Sequence, residues 1–169
     1  GKIYEATASR MFHIPQESIV KGSPNYEYRQ KGKQATLSCG YGGGVGALKA
    51  MGAKMPEEEM QPLVDAWRAA NPNVVAFWSA LDRAARTVIR RKTSVRVGKM
   101  ILYWQDDKMF MRLPSGRNLC YQSPHFTENR FGSDAIGYYA PNAAGQMVVQ
   151  ETFGGKLAEN ATQAIARDI

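Results

Sequence analysis

Near Thr93 the apolar pattern of this chain changes its period. Before that point Val74, Phe77, Trp78, Leu81, Ala85 and Val88 recur at intervals of three and four, the signature of one helix face. Arg83, Arg86, Arg90 and Arg91 fall mainly on the other faces, so this stretch predicts an amphipathic helix. After Thr93 come "TSVRVG", "KMILYWQ", "KMFMRLP" and "RNLCYQ", short runs of strand-forming residues. Gly98, Asp106-Asp107 and "PSG" separate them, and gaps so short allow only antiparallel hairpins. Helices followed by hairpins predict an α+β fold, mainly helical with a β-hairpin or small antiparallel sheet inserted.

The remaining segments fit around that switch. Residues 1–20 read as a helix, with Ile3, Ala6, Ala8, Met11 and Phe12 giving an apolar face before Pro15 ends it. "KGSPNYEY" is a loop, and Tyr26 to Cys39 is helical, with Gly40 beginning its end. In "PEEEMQPLVDAWRAANP" the helix starts either among the acids or at Pro62, and Asn71-Pro72 closes it. Residues 122–146 are polar and glycine-bearing and are expected to be loop, with room for one strand. "GGKLAENATQAIARDI" resumes helical spacing through Leu157, Ala161, Ala164 and Ile165. The expected organisation is a helical segment over 1–92, a hairpin-rich insertion over 93–150 and a returning helix over 151–169.

Charge narrows the function. The formal net charge of +7 favours an anionic partner such as nucleic acid or nucleotide. No apolar stretch approaches the ~18 residues of a membrane span, so no membrane partner is expected. "GKIYEATASRMF" lacks the layout of a signal peptide. Cys39 and Cys120 lie far apart and outside any CxxC pattern, which suits a reduced, cytoplasmic chain. The chain begins with Gly1 and stops at Ile169 in mid-pattern, so an excised piece is expected.

"YRQKGKQATLSCGYGGGVGALKAMG" carries the most chemistry. Its glycines contain neither GxxxxGK[ST] nor a complete GxGxxG, and they follow a helix rather than a strand, which excludes both nucleotide loops. Their ordinary reading is a helix end with tight turns. The helix before them is more informative. Arg29, Lys33, Leu37 and Tyr41 advance by four, each about 40° round from the last, so they form a drifting stripe roughly 18 Å long. Two cations, an apolar group and an aromatic suit a phosphorylated ligand with a flat base. The ordinary alternative is a solvated basic face. Metal chemistry has no support: His13 and His125 share no chelating spacing, and no nucleophile elbow or Ser-His-Asp set is present. Asp106 and Asp107 are expected in a hairpin turn, and Glu57, Glu58 and Glu59 at a helix start.

Arg29 to Gly42 resembles the fingers motif of family A DNA polymerases, the DNA polymerase I type. That motif runs arginine, three residues, lysine, three residues, an aromatic, three residues, then tyrosine-glycine. Arg29, Lys33, Tyr41 and Gly42 match in register, and Leu37 takes the aromatic position. "IYEATASRMFHIPQESI", "LVDAWRAANPNVVAFWSALDRAA", "RLPSGRNL" and "GGKLAENATQAIARDI" resemble, in order, the family's flanking segments. "GYGGGVGALKAMGA" is similar to the phage and prophage branch.

The resemblance implies roles. Arg29 and Lys33 would hold the triphosphate of an incoming deoxynucleotide, with Leu37 at its sugar, Tyr41 near the templating base and Gly42 turning the backbone beside it. Gln163 would approach the minor groove of the DNA primer-template, with Glu159 or Asn160 one turn before it, and Arg117 would touch the DNA backbone. Tyr4 stands where many relatives carry a phosphate-contacting histidine. The family's reaction uses magnesium held by two aspartates, one in a D-x-S-x-x-E-like setting and one in an H-D-E setting. Neither occurs here. The chain is therefore expected to be a nucleotide- and DNA-binding fingers region, not catalytic alone, whose partners include the palm and thumb of the same polymerase. A stand-alone basic nucleic-acid-binding domain is the alternative, and an interaction module a weaker one. The nucleotide site further requires that the cations at 29 and 33 project together, with neither buried in an internal ion pair.

Overall fold

A computed structural model describes residues 2–129 and 131–169. The chain divides into two compact units between Ala76 and Phe77.

The first unit holds α1 (Ile3–Phe12), α2 (Tyr26–Cys39), α3 (Val45–Ala50) and α4 (Glu57–Ala70). α1, α2 and α4 pack on one another around Ala8, Met11, Ala35, Cys39, Leu63 and Trp67. α1 is shorter than expected. It ends at Phe12, where His13 turns left-handed at φ 54° and Ser9 Oγ donates to Ile14 O at 2.6 Å. Pro15 disfavours helix at the residue before it, so only a single 3-10 turn, Gln16–Ser18, follows. The buried face is Thr7, Ala8 and Met11, while Ile3 is exposed. α4 starts among the acids, with Pro62 inside it. In the second turn a proline costs one bond, to the carbonyl four residues back. Glu57 meets Lys49 at 2.6 Å and Glu59 meets Lys31 at 3.2 Å, as helix-start acids can.

The division falls inside α5 (Pro72–Arg91). The second unit takes in α5 from Phe77, strands β1 (Ser94–Val97), β2 (Met100–Gln105), β3 (Lys108–Arg112), β4 (Asn118–Glu128), β5 (Asp134–Pro141) and β6 (Met147–Thr152), and α6 (Gly154–Asp168). The strands form one antiparallel meander in sequence order. Leu102, Met109, Met111, Tyr121 and Ile136 are buried on one face of it. α5 and α6 bond and pack on that side: Arg86 Nη2 donates to Asp134 O at 3.3 Å, and Asn160 Nδ2 donates to the Tyr121 hydroxyl at 3.1 Å.

The α+β expectation holds, but the sheet is larger than the polar stretch 122–146 suggested. β4 runs on past Gln122 through a bulge, and together with β5 it occupies most of the segment expected to be loop. The reason lies in the turns. After β3, β4 and β5 the chain repeats one loop, in which the amides of Gly116, Gly132 and Gly145 each bond back to the carbonyl three residues earlier. Each of these glycines has positive φ, the position that closes a three-residue hairpin loop. Asn129 and Asn142 open two of the loops and accept backbone N–H bonds on Oδ1. The polar residues thus belong to turns and to the solvent face of strands.

Candidate functional site

α2 buries Gly32, Ala35, Ser38 and Cys39 and leaves the opposite side to solvent. Gly32 lets α1 approach closely: a Cβ there would lie 2.5 Å from Tyr4 O. The expected stripe lies on the outer side. Lys33 is exposed, Leu37 is 46% exposed and Tyr41 is 45% exposed. Tyr41 follows the helix end, and Gly42 behind it takes φ 84°, a left-handed turn suited to glycine. Arg68 sits beneath this turn, its Nη2 donating to Gly43 O at 3.4 Å, while its buried Nε has no hydrogen-bond partner.

Arg29 differs from the other three. Its Nε donates to Glu5 Oε1 at 2.9 Å, with the two side chains 27% and 16% exposed. The rings of Tyr4 and Tyr26 lie 5.6 and 5.9 Å from the guanidinium carbon. The bond to Glu5 raises the arginine's pKa further. The Glu5 carboxyl is held below its usual range, first by a backbone hydrogen bond and then by Arg29. Its other oxygen, Oε2, is buried without a hydrogen-bond partner. The condition that neither cation be engaged internally is therefore met at Lys33 and not met in full at Arg29, which is paired but still reaches solvent. Glu5 and Tyr26 are the residues that spacing missed. Glu5 joins Arg29 only because α1 crosses α2, and no local pattern announces that pair, whereas Tyr26 stands three residues before Arg29 on α2 itself.

In the second unit a surface cleft of about 440 Å³ brings together Arg117, Asn160 and Gln163, with Arg167, Tyr121 and Tyr138 also lining it. Arg117 is half engaged: Nε donates to Asp168 Oδ1 and Nη2 to Ala164 O, both at 2.8 Å. Asp168 also accepts from Ser115 Oγ at 2.5 Å, which, ahead of Arg117, keeps its carboxyl below the usual range. Burial pushes the Tyr121 phenol up to about 12, so it stays a neutral partner for Asn160. Glu159 does not line the cleft but accepts from Gln163 at its edge at 3.3 Å and meets Lys156 at 3.6 Å. Arg167 and the two tyrosines went unread in the sequence, although Arg167 stands four residues after Gln163 and so on the same helix side.

Among the described residues no group of three or more histidine, cysteine or carboxylate side chains could hold a metal ion. His125 packs against Tyr139 at 5.8 Å and meets Ser123 O through Nδ1 at 3.0 Å. Burial raises the Cys39 thiol to about 11, and Cys120 is exposed. Asp106 and Asp107 form the two-residue turn between β2 and β3, both at positive φ. No helix among the described residues is long and apolar enough to cross a membrane.

No family model and no solved structure matches the chain. It is similar to a DNA polymerase of Bacillus phage SP02, with 45% identity over 174 residues, an alignment that takes in 99% of this chain and 26% of the relative. The chain thus spans about a quarter of the length of the curated relative it matches.

Proposed function

We propose that this chain is the fingers region of a family A DNA-directed DNA polymerase, binding an incoming deoxynucleotide triphosphate and the DNA primer-template. The observation that carries the reading is the 45% identity to a phage DNA polymerase across nearly the whole chain. The exposed row of Lys33, Leu37 and Tyr41 on α2 supports it, because charge, apolar surface and ring follow the order of phosphate, sugar and base. In this reading Lys33 meets the triphosphate first. Arg29 joins it when the phosphates compete with Glu5 for the guanidinium, a step helped by fingers closure that excludes water. Arg117, Asn160 and Gln163 face the primer-template from the cleft beside α6. Magnesium belongs to the parent reaction; no group among the described residues could hold it, and in this reading the two aspartate settings that this stretch lacks would supply its site elsewhere in the longer protein. The chain alone binds and does not catalyse.

A titration of a fluorescent deoxynucleotide triphosphate tests this. Lys33→Ala is expected to weaken binding several-fold, and Arg29→Ala/Lys33→Ala further. A charge-assisted contact contributes ~1.5–3 kcal/mol when shielded and less on an open surface. Equal affinity in all three proteins would remove the phosphate role from α2.

A further inference from the structure

The face of the sheet turned away from α5 and α6 is not an ordinary solvated face. The ladder registers align its residues in rows. One row runs Arg96, Ile101, Arg112, and the next runs Tyr103, Phe110, Cys120. The Tyr103 and Phe110 rings stack at 5.3 Å with 20° between their planes. The Arg112 guanidinium lies 5.8 Å from the Tyr103 ring centre. Arg96, Arg112 and Cys120 are exposed, and the two rings are half-exposed. Adjacent rows are two residues apart along a strand, about 7 Å. Over the described residues of β1 to β3, and β4 as far as Gln122, this face carries no carboxylate. Asp106 and Asp107 sit beyond it at the hairpin tip.

Cross-strand aromatic pairs stabilise a sheet by themselves. That alone does not account for arginines at 96 and 112, on either side of Ile101, in a row beside the rings. Rings that take up unpaired bases, with guanidinium groups beside them for phosphates, form a recognition surface for single strands. A duplex keeps its bases stacked inward and offers such rings nothing.

We propose that the open face of β1 to β4 binds single-stranded nucleic acid, with bases on Tyr103 and Phe110 and phosphates on Arg96 and Arg112. This goes beyond the nucleotide site on α2 and uses none of its residues. Failure of one therefore leaves the other standing.

The test is fluorescence anisotropy of the chain with a labelled sixteen-residue oligo-dT, without nucleotide, together with alkylation of Cys120 by iodoacetamide. Phe110 stands directly opposite Cys120, so bound oligonucleotide is expected to slow alkylation at least fivefold. Tyr103→Leu/Phe110→Leu keeps apolar area on the sheet but removes the stacking rings, and should weaken binding roughly tenfold or more. Arg96→Gln/Arg112→Gln, surface changes that leave the core alone, should reduce the steepness of the salt dependence by about 1.4, at ~0.7 per phosphate released. The proposal is overturned if the leucine variant binds oligo-dT within twofold of wild type, if saturating oligo-dT leaves Cys120 alkylation unchanged, or if a duplex of equal length binds as tightly. Absence of any binding overturns it equally.

Discussion

Arg29 and Lys33 are chemically alike and one helical turn apart, yet a single carboxylate separates their behaviour. Glu5 engages Arg29 at 2.9 Å, whereas Lys33 is exposed. Glu5→Gln is therefore expected to free the guanidinium and tighten triphosphate binding if α2 holds phosphates. The same substitution has a stability signature whose sign follows from the titration. The folded Glu5 carboxyl titrates below its usual value of about 4.5. Its stabilising effect is thus present above that value and lost as pH falls through the lower folded one. Thermal midpoints of wild type and Glu5→Gln should differ most near neutrality and converge as pH drops from 5 toward 3. A gap that stays constant over that window would show that the pair contributes nothing through ionisation. The stripe itself was legible because four-residue steps lie within one helix. Glu5 was not, because it sits 24 residues away in sequence and reaches Arg29 only through the α1–α2 crossing.

Elements were readable where one signal dominated. α2 runs from Tyr26 to Cys39 as its spacing predicted, and the first four strands lie where Gly98, Asp106-Asp107 and "PSG" divide them. The misreadings came where two signals competed. Proline overrode apolar spacing in residues 13–20, and Asn–x–x–Gly turns were hidden inside a polar stretch that is half strand; at α4, where both starts stood open, the acids prevailed over Pro62. Gly32 is a further competition and yields a prediction. Alanine at a mid-helix glycine normally stabilises by about 1 kcal/mol through helix propensity. Here its Cβ would meet Tyr4 O at 2.5 Å and Ala8 Cβ at 3.0 Å, a backbone atom and a helix neighbour that yield only by moving α1. Overpacking costs about 1–3 kcal/mol, so the clash outweighs the propensity. Gly32→Ala should lower the denaturant midpoint; a rise would mean that α1 shifts freely.

For the molecule as a whole, charge was legible as a sum and illegible as a map. The +7 pointed to an anionic partner, but which cations are spent internally depends on tertiary contacts. α6 shows this at both ends. Its first amide, Gly154 N, donates to Asp82 Oδ1 at 3.1 Å, and Arg117 bonds Ala164 O and Asp168 at the far end. A carboxylate at the N-terminus and a guanidinium at the C-terminus both match the helix dipole, and both come from other elements. Arg117, expected at the DNA backbone, is thus also a brace for the helix that carries Gln163. Asp82→Ala removes a helix cap and leaves Arg86 with Asp134 alone, which should cost about 1 kcal/mol. Arg117→Ala should cost less, since that pair is partly solvated. α6 has 15 residues, which separates the two braces by about 20 Å at 1.5 Å per residue. At that distance the losses should add to within about 0.5 kcal/mol in urea denaturation of the double variant. A double variant no less stable than Asp82→Ala alone would mean that Arg117 braces nothing, leaving its guanidinium free for the DNA backbone.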